Sequence, residues 1–165
     1  MKKSTLIIIL VVIASATASA KIWRVNSKPS IDADFNSLQD AINSSSVNSG
    51  DTLYCENGSY FGDVVLDKSL VIIGPGYFLS QNDSTHAYPS PAVINNLTFD
   101  SGSDNSTITG MKIISTLEIG SCYDTISNIN IIRNRIKIIE DNTSFQSSFK
   151  NIVIRQCYID HRIYF

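Results

Sequence analysis

The chain has 165 residues, 43% of them hydrophobic and 17% charged, with 13 Lys and Arg against 15 Asp and Glu for a net charge of −2. That length supports one domain with a sizeable core, and the slight acidic excess argues against a nucleic-acid partner. Cys55, Cys122 and Cys157 lack any CxxC or other metal-ligand spacing, so they read as one disulfide plus a spare thiol or, more simply, as three separate buried thiols.

Residues 1–20 read as a signal peptide. Lys2 and Lys3 precede the apolar run from Leu6 to Ile13, and Ala18-Ser19-Ala20 supplies the small-x-small pattern that a signal peptidase cuts. The run is short for a membrane span, so the expectation is an exported chain that starts at Lys21, has no membrane segment after removal of the leader, and is secreted or held at the cell surface. Loss of the two leader lysines moves the net charge of that chain to −4. What remains is rich in Ser, Asn and Ile, a bias toward strands joined by polar turns.

The sequence DADFNSLQDAINSS sets Phe35, Leu38, Ala41 and Ile42 on one helical face, with Asp34 as N-cap, which predicts a short amphipathic helix over about 34–44. In GDTLYCENGSY, Leu53 and Cys55 alternate with polar neighbours as in a strand buried on one face, and Asn57-Gly58 marks a turn. A second apolar run, DVVLDKSLVIIG, offers Val64, Leu66, Leu70 and Ile72 to the same core.

Residues 33–77, with the helix ending in AI, the GDT strand, the G-x-Y turn, the K-S-L step and the glycine corner, resemble the N-terminal capping and first-coil segment of right-handed parallel β-helix proteins of the pectin lyase-like group. The resemblance implies an all-β, right-handed parallel β-helix whose core is closed at its N-terminal end by the helix, with Phe35, Leu38 and Ile42 as the lid. It also implies that enzymes on this fold act mostly on polysaccharides, through carboxylates, often with calcium or an Arg or Lys, on an outward strand face. It points to an architecture shared by lyases, hydrolases, adhesins and surface proteins, and so to no single reaction.

From Thr98 onward the chain repeats every 23 residues without gaps. Asn105, Asn128 and Asn151 share one column; Ile108, Ile131 and Ile154 a second; Ile113, Ile136 and Ile159 a third. Thr98, Ser121 and Ser144 form a hydroxylic column, and Phe99, Cys122 and Phe145 an apolar one. Strands this short cannot bury a face alone, but stacked in parallel about 4.8 Å apart they set each Ile on the next. Stacked Asn amides can bond donor to acceptor along the column while their backbone takes the left-handed corner that Asn tolerates. The period suits a three-sided solenoid of about five coils over about 50–165.

Residues one period apart should lie above each other, which makes functional columns readable. Glu118 and Asp141, with Glu140 adjacent, form the best acidic cluster and are candidate calcium ligands, although the plainer reading is an acidic turn facing water. Lys112, Arg135 and Tyr158 form a basic and aromatic strip that could lie along an extracellular polysaccharide. Asp160-His161 carries little weight near the end of the chain. Asn96-Leu97-Thr98 and Asn105-Ser106-Thr107 match the glycosylation triplet, the second reading as structural. No catalytic residues are assigned. The expected function is therefore a secreted scaffold or carbohydrate-contacting module, with no cofactor beyond the calcium candidate. The alternative is the N-terminal part of a polysaccharide lyase or glycoside hydrolase whose active site lies beyond residue 165. An uncovered last coil also implies continuation past Phe165 or end-to-end self-association.

Overall fold

The computed structural model describes residues 20–78, 90–120, 124–141 and 148–164. The signal peptide, apart from Ala20, lies outside these residues, as do Ser121, Cys122, Ser144 and Phe145 of the two mixed columns. The described chain is mostly strand, with all sheet pairings parallel. Its elements are β1 (Ile22–Val25), α1 (Leu38–Asn43), β2 (Thr52–Cys55), β3 (Gly58–Leu66), β4 (Val71–Ile73), β5 (Ala92–Phe99), β6 (Thr107–Thr109), β7 (Met111–Ile119), β8 (Thr125–Ser127), β9 (Asn130–Ile132), β10 (Arg135–Asp141), β11 (Ser148–Lys150), β12 (Val153–Arg155) and β13 (Tyr158–Tyr164).

The first sheet runs β1-β2-β4-β6-β9-β12, the second β3-β5-β7-β10-β13, and a third pairs β8 with β11. From β4 onward the chain returns to the first two sheets in turn, so each pass adds a rung to both. Register makes the columns explicit. Leu53, Ile72, Ile108, Ile131 and Ile154 are successive partners in the first sheet. Tyr60, Ile94, Ile113, Ile136 and Ile159 are successive partners in the second. The inner members of these columns are wholly buried, and each such aliphatic side chain contributes about 1.5–3 kcal/mol on leaving water.

Two columns of left-handed residues turn the chain at either end of the first sheet. Asn105, Asn128 and Asn151 have φ of 62°, 59° and 54°. Asn128 donates its amide Nδ2 to Oδ1 of Asn105 at 3.0 Å, and Asn151 donates to Asn128 at 3.0 Å. The second column, Gly110, Arg133 and Gln156, has φ of 72°, 54° and 55°. Glycine is required at the first of these, because a Cβ there would collide with the carbonyl oxygen of Gly74. In that narrow gap Gly74 N–H donates to Thr109 O and Gly76 N–H to Gly110 O.

The cap departs from the sequence expectation at its start. Helix α1 begins at Leu38, with Ser37 as N-cap accepting from Asp40 N–H, and not near residue 34. The Asp34 carboxylate instead accepts from Arg24 N–H at 2.8 Å, and Phe35 bridges to Val25 as a short extension of the first sheet. The strand β1, which no pattern in the sequence flagged, is the reason: it competes for these residues. Leu38, Ala41 and Ile42 are buried in the core, and Phe35 packs against that core and against Trp23. No helix among the described residues is long and apolar enough to cross a membrane.

Candidate functional site

The second sheet carries the basic and aromatic strip on its outer face. Lys112 is the register partner of Arg135, and Arg135 of Tyr158, so the three side chains follow one another at about the 4.8 Å spacing of strands. Arg135 is not a bare cation: its Nε and Nη2 donate to the two oxygens of Asp160 at 2.9 and 3.0 Å. This fork, with Asp160 close by, holds the guanidinium above its ordinary pKa and fixes its plane. The guanidinium carbon lies 5.5 Å from the Tyr158 ring centroid. Asp160 thus gains a role that the sequence did not suggest, whereas His161 is exposed.

Two further aromatics join the strip from far along the chain. The 74–78 loop leaves the first sheet after β4 and runs along the corner of three rungs. There Tyr77 Oη donates to the carbonyl oxygen of Gln156 at 3.2 Å, and burial pushes the Tyr77 phenol up. Phe78 packs on Tyr77 with centroids 4.4 Å apart and meets Tyr158 edge to face at 5.5 Å. Tyr158 remains 48% and Phe78 38% exposed, which leaves ring surface available to a ligand. Between this loop and Thr109, Gly110 and Arg133 lies an open cleft of about 370 Å³. Arg133 Nε donates to Gln156 Oε1 at 3.0 Å on its rim. No sequence signal joins Tyr77 and Phe78 to Tyr158; the narrow glycine-glycine approach at Gly74 and Gly110 directs the loop toward the later rungs. A second hollow of about 260 Å³ lies between α1 and β3, flanked by Phe61, which is 72% exposed.

The acidic cluster is rearranged. A register shift between Ile136 and Ile138 sets Glu118 opposite Glu140 and leaves Asp141 beside core-facing Ile119. The 23-residue spacing of Glu118 and Asp141 therefore does not bring them to one face. Glu118 accepts from Thr98 Oγ1 at 3.2 Å. Among the described residues, no group of three or more His, Cys, Asp or Glu side chains is placed to hold a metal ion. The bulge alternates along the sheet: between the column from Tyr60 to Ile159 and the next inward column, Val64, Leu97, Leu117, Ile139 and Ile163, lie three residues in β3, two in β5, three in β7, two in β10 and three in β13.

Other polar candidates are structural in placement. Asn96 donates to Asp63 at 2.7 Å and accepts from Thr116 N–H at 3.0 Å, so both ends of its amide are engaged. Asn134, fully buried, accepts from Met111 N–H and donates to Ile108 O, both at 2.9 Å. Cys55 and Cys157 are free, and burial pushes the Cys55 thiol up to about 12. The fold and site so far define an all-β protein of stacked parallel strands with an aromatic and basic outer corner. No protein-family model, curated protein or solved structure matches the chain.

Proposed function

We propose that the chain is a right-handed, three-sided parallel β-helix of the pectin lyase-like group, exported by its leader, that serves outside the cell as a scaffold contacting carbohydrate through the outer corner of its second sheet. The parallel register, the alternation of the chain between sheets and the capping segment 33–77 support the architecture. The observation that carries the function is the cluster of Phe78, Tyr158, Arg135 and Asp160. Aromatic faces accept the C–H face of a pyranose, and a guanidinium and carboxylate held in one plane offer donors and acceptors to adjacent hydroxyls. Arg135 is already neutralised by Asp160, so the site favours the hydroxyl pattern of a sugar over a bare anion, with Lys112 next in the column as the contact for an acidic residue of the chain.

A glycan array probed with the chain starting at Lys21 tests this reading. Binding to a polysaccharide class is expected, with Tyr158→Ala and Phe78→Ala each weakening it about tenfold, in keeping with loss of about 1.4 kcal/mol of stacking. Absence of binding to every glycan, or binding indifferent to both substitutions, overturns it.

A further inference from the structure

We propose that removal of the leader completes an ion pair inside the fold: the α-ammonium created on Lys21 sits against the buried carboxylate of Asp51 and locks β1 onto the first sheet. This rests on the leader reading, in which the Ala20–Lys21 bond is the one cut. Hydrolysis adds one water across that amide, giving a carboxylate on Ala20 of the released leader and an ammonium on Lys21 of the exported chain.

The receiving site is already built. Asp51 is 3% exposed. One carboxylate oxygen accepts from the backbone N–H of Lys21 at 2.8 Å, and the other from Trp23 Nε1 and from Asn48 N–H, each at 2.9 Å. Thr52 N–H donates to Lys21 O at 2.8 Å, so the Lys21 backbone is held in place from its other side. Burial opposes the charged form of Asp51, yet the N–H donors of Asn48, Trp23 and Lys21 and the positive charge of Lys21 outweigh it and hold the carboxyl below its ordinary range.

A buried carboxylate is stabilised far more by a counter-charge than by neutral donors alone. The ε-ammonium of Lys21 lies over the Trp23 ring, 3.2 Å from its centroid, so it is engaged on the indole face. Cleavage places a second positive charge on the very nitrogen that already lies 2.8 Å from Oδ1. Ala20 is exposed, so its removal uncovers nothing packed. The exported chain would thus be tighter at its N-terminal rung than its precursor.

The test compares residues 21–165, released from a fusion by a protease that leaves no extra residue, with residues 19–165, in which Lys21 N is an amide. The shorter chain is expected to melt about 3–6 °C higher, and the gap should close in Asp51→Asn. No gap, or an equal gap in Asp51→Asn, overturns the ion pair. Should Asp51→Asn not fold, acylation of the α-amine of the wild-type chain is read by mass spectrometry. Protection of at least tenfold relative to the urea-unfolded chain supports the pair, and equal rates refute it. N-terminal sequencing of the exported protein separates the two ideas, because a start other than Lys21 overturns the leader reading, whereas a Lys21 start with no gap overturns the ion pair alone.

Discussion

The first and last described rungs of the strand stack are covered to different extents. At the first, both edge strands find partners that are not strands. Phe35 accepts from Asn26 N–H and donates to Arg24 O along β1. Gln39 of α1 presents its side-chain amide to β3, accepting from Val65 N–H at 2.8 Å and donating to Val65 O at 3.2 Å. A glutamine amide has the same donor and acceptor pair as a peptide, so it stands in for one residue of a missing strand. Lys68 Nζ ties the end of α1 down by donating to Ser44 O and Val47 O. At the other end the inward column goes from Ile139, fully buried, to Ile163, 46% exposed. The difference teaches that coverage here is made by side chains that imitate backbone, on top of an apolar lid.

The largest effect that can break this comparison comes from the lid itself. Ile42→Ala, at a site with no exposure, is expected to cost about 2–5 kcal/mol, whereas Ile163→Ala should cost less than about 1 kcal/mol because half its surface is already wet. Urea unfolding of both variants reads the ratio. Equal losses would mean that the last rung is covered in solution, as end-to-end association would do.

The next effect tests the middle of the stack against its edge. Asn128 both donates and accepts in the asparagine column and holds a left-handed backbone, whereas Asn151, the last asparagine of the column, donates to Asn128. Asn128→Ala loses two exposed hydrogen bonds of about 0.5 kcal/mol each, the low end for such bonds, and adds a left-handed alanine at about 1–2 kcal/mol, for about 2–3 kcal/mol in total. Asn128→Gly keeps the corner relaxed and should cost about 1–2 kcal/mol. If the two substitutions cost the same, measured by urea midpoints at equal slope, the corner carries no strain and the column holds by its amides alone.

How much of this could be read from the sequence follows from which features repeat in residue type. The Asn and Ile columns keep one side chain at one spacing, and their members are register partners or hydrogen-bonded neighbours in the structure. The second left-handed column changes type at every rung, from Gly110 to Arg133 to Gln156, so nothing in composition flags it. The alternating bulge is a matter of one residue more or less per rung, and it alone moves Asp141 away from Glu118. Helix α1 starts later than its amphipathic pattern because Asp34 and Phe35 serve β1, whose partner in β2 is 30 residues away. The aromatic corner unites Tyr77 with Gln156 across 79 residues, a contact no local pattern encodes.

The smallest effect is informative through its sign. Gln156 sits at φ 55°, where a non-glycine residue is strained by about 1–2 kcal/mol, while glycine costs about 0.5–1 kcal/mol in chain entropy. Its side chain contributes one hydrogen bond, from Arg133, at an exposed position, and such a bond adds little against water. The contact from Tyr77 reaches its backbone oxygen and survives any substitution. Gln156→Gly should therefore raise stability by about 0.5 kcal/mol and Tm by about 1–2 °C. The same change in the first column, Asn151→Gly, should lower stability, because asparagine tolerates the left-handed region, so glycine relieves little strain there and adds its chain entropy. Opposite signs from one substitution at two left-handed corners of the same rung would show that asparagine holds the first corner at little strain while Gln156 is strained at the second. Equal signs would put both corners under one cause.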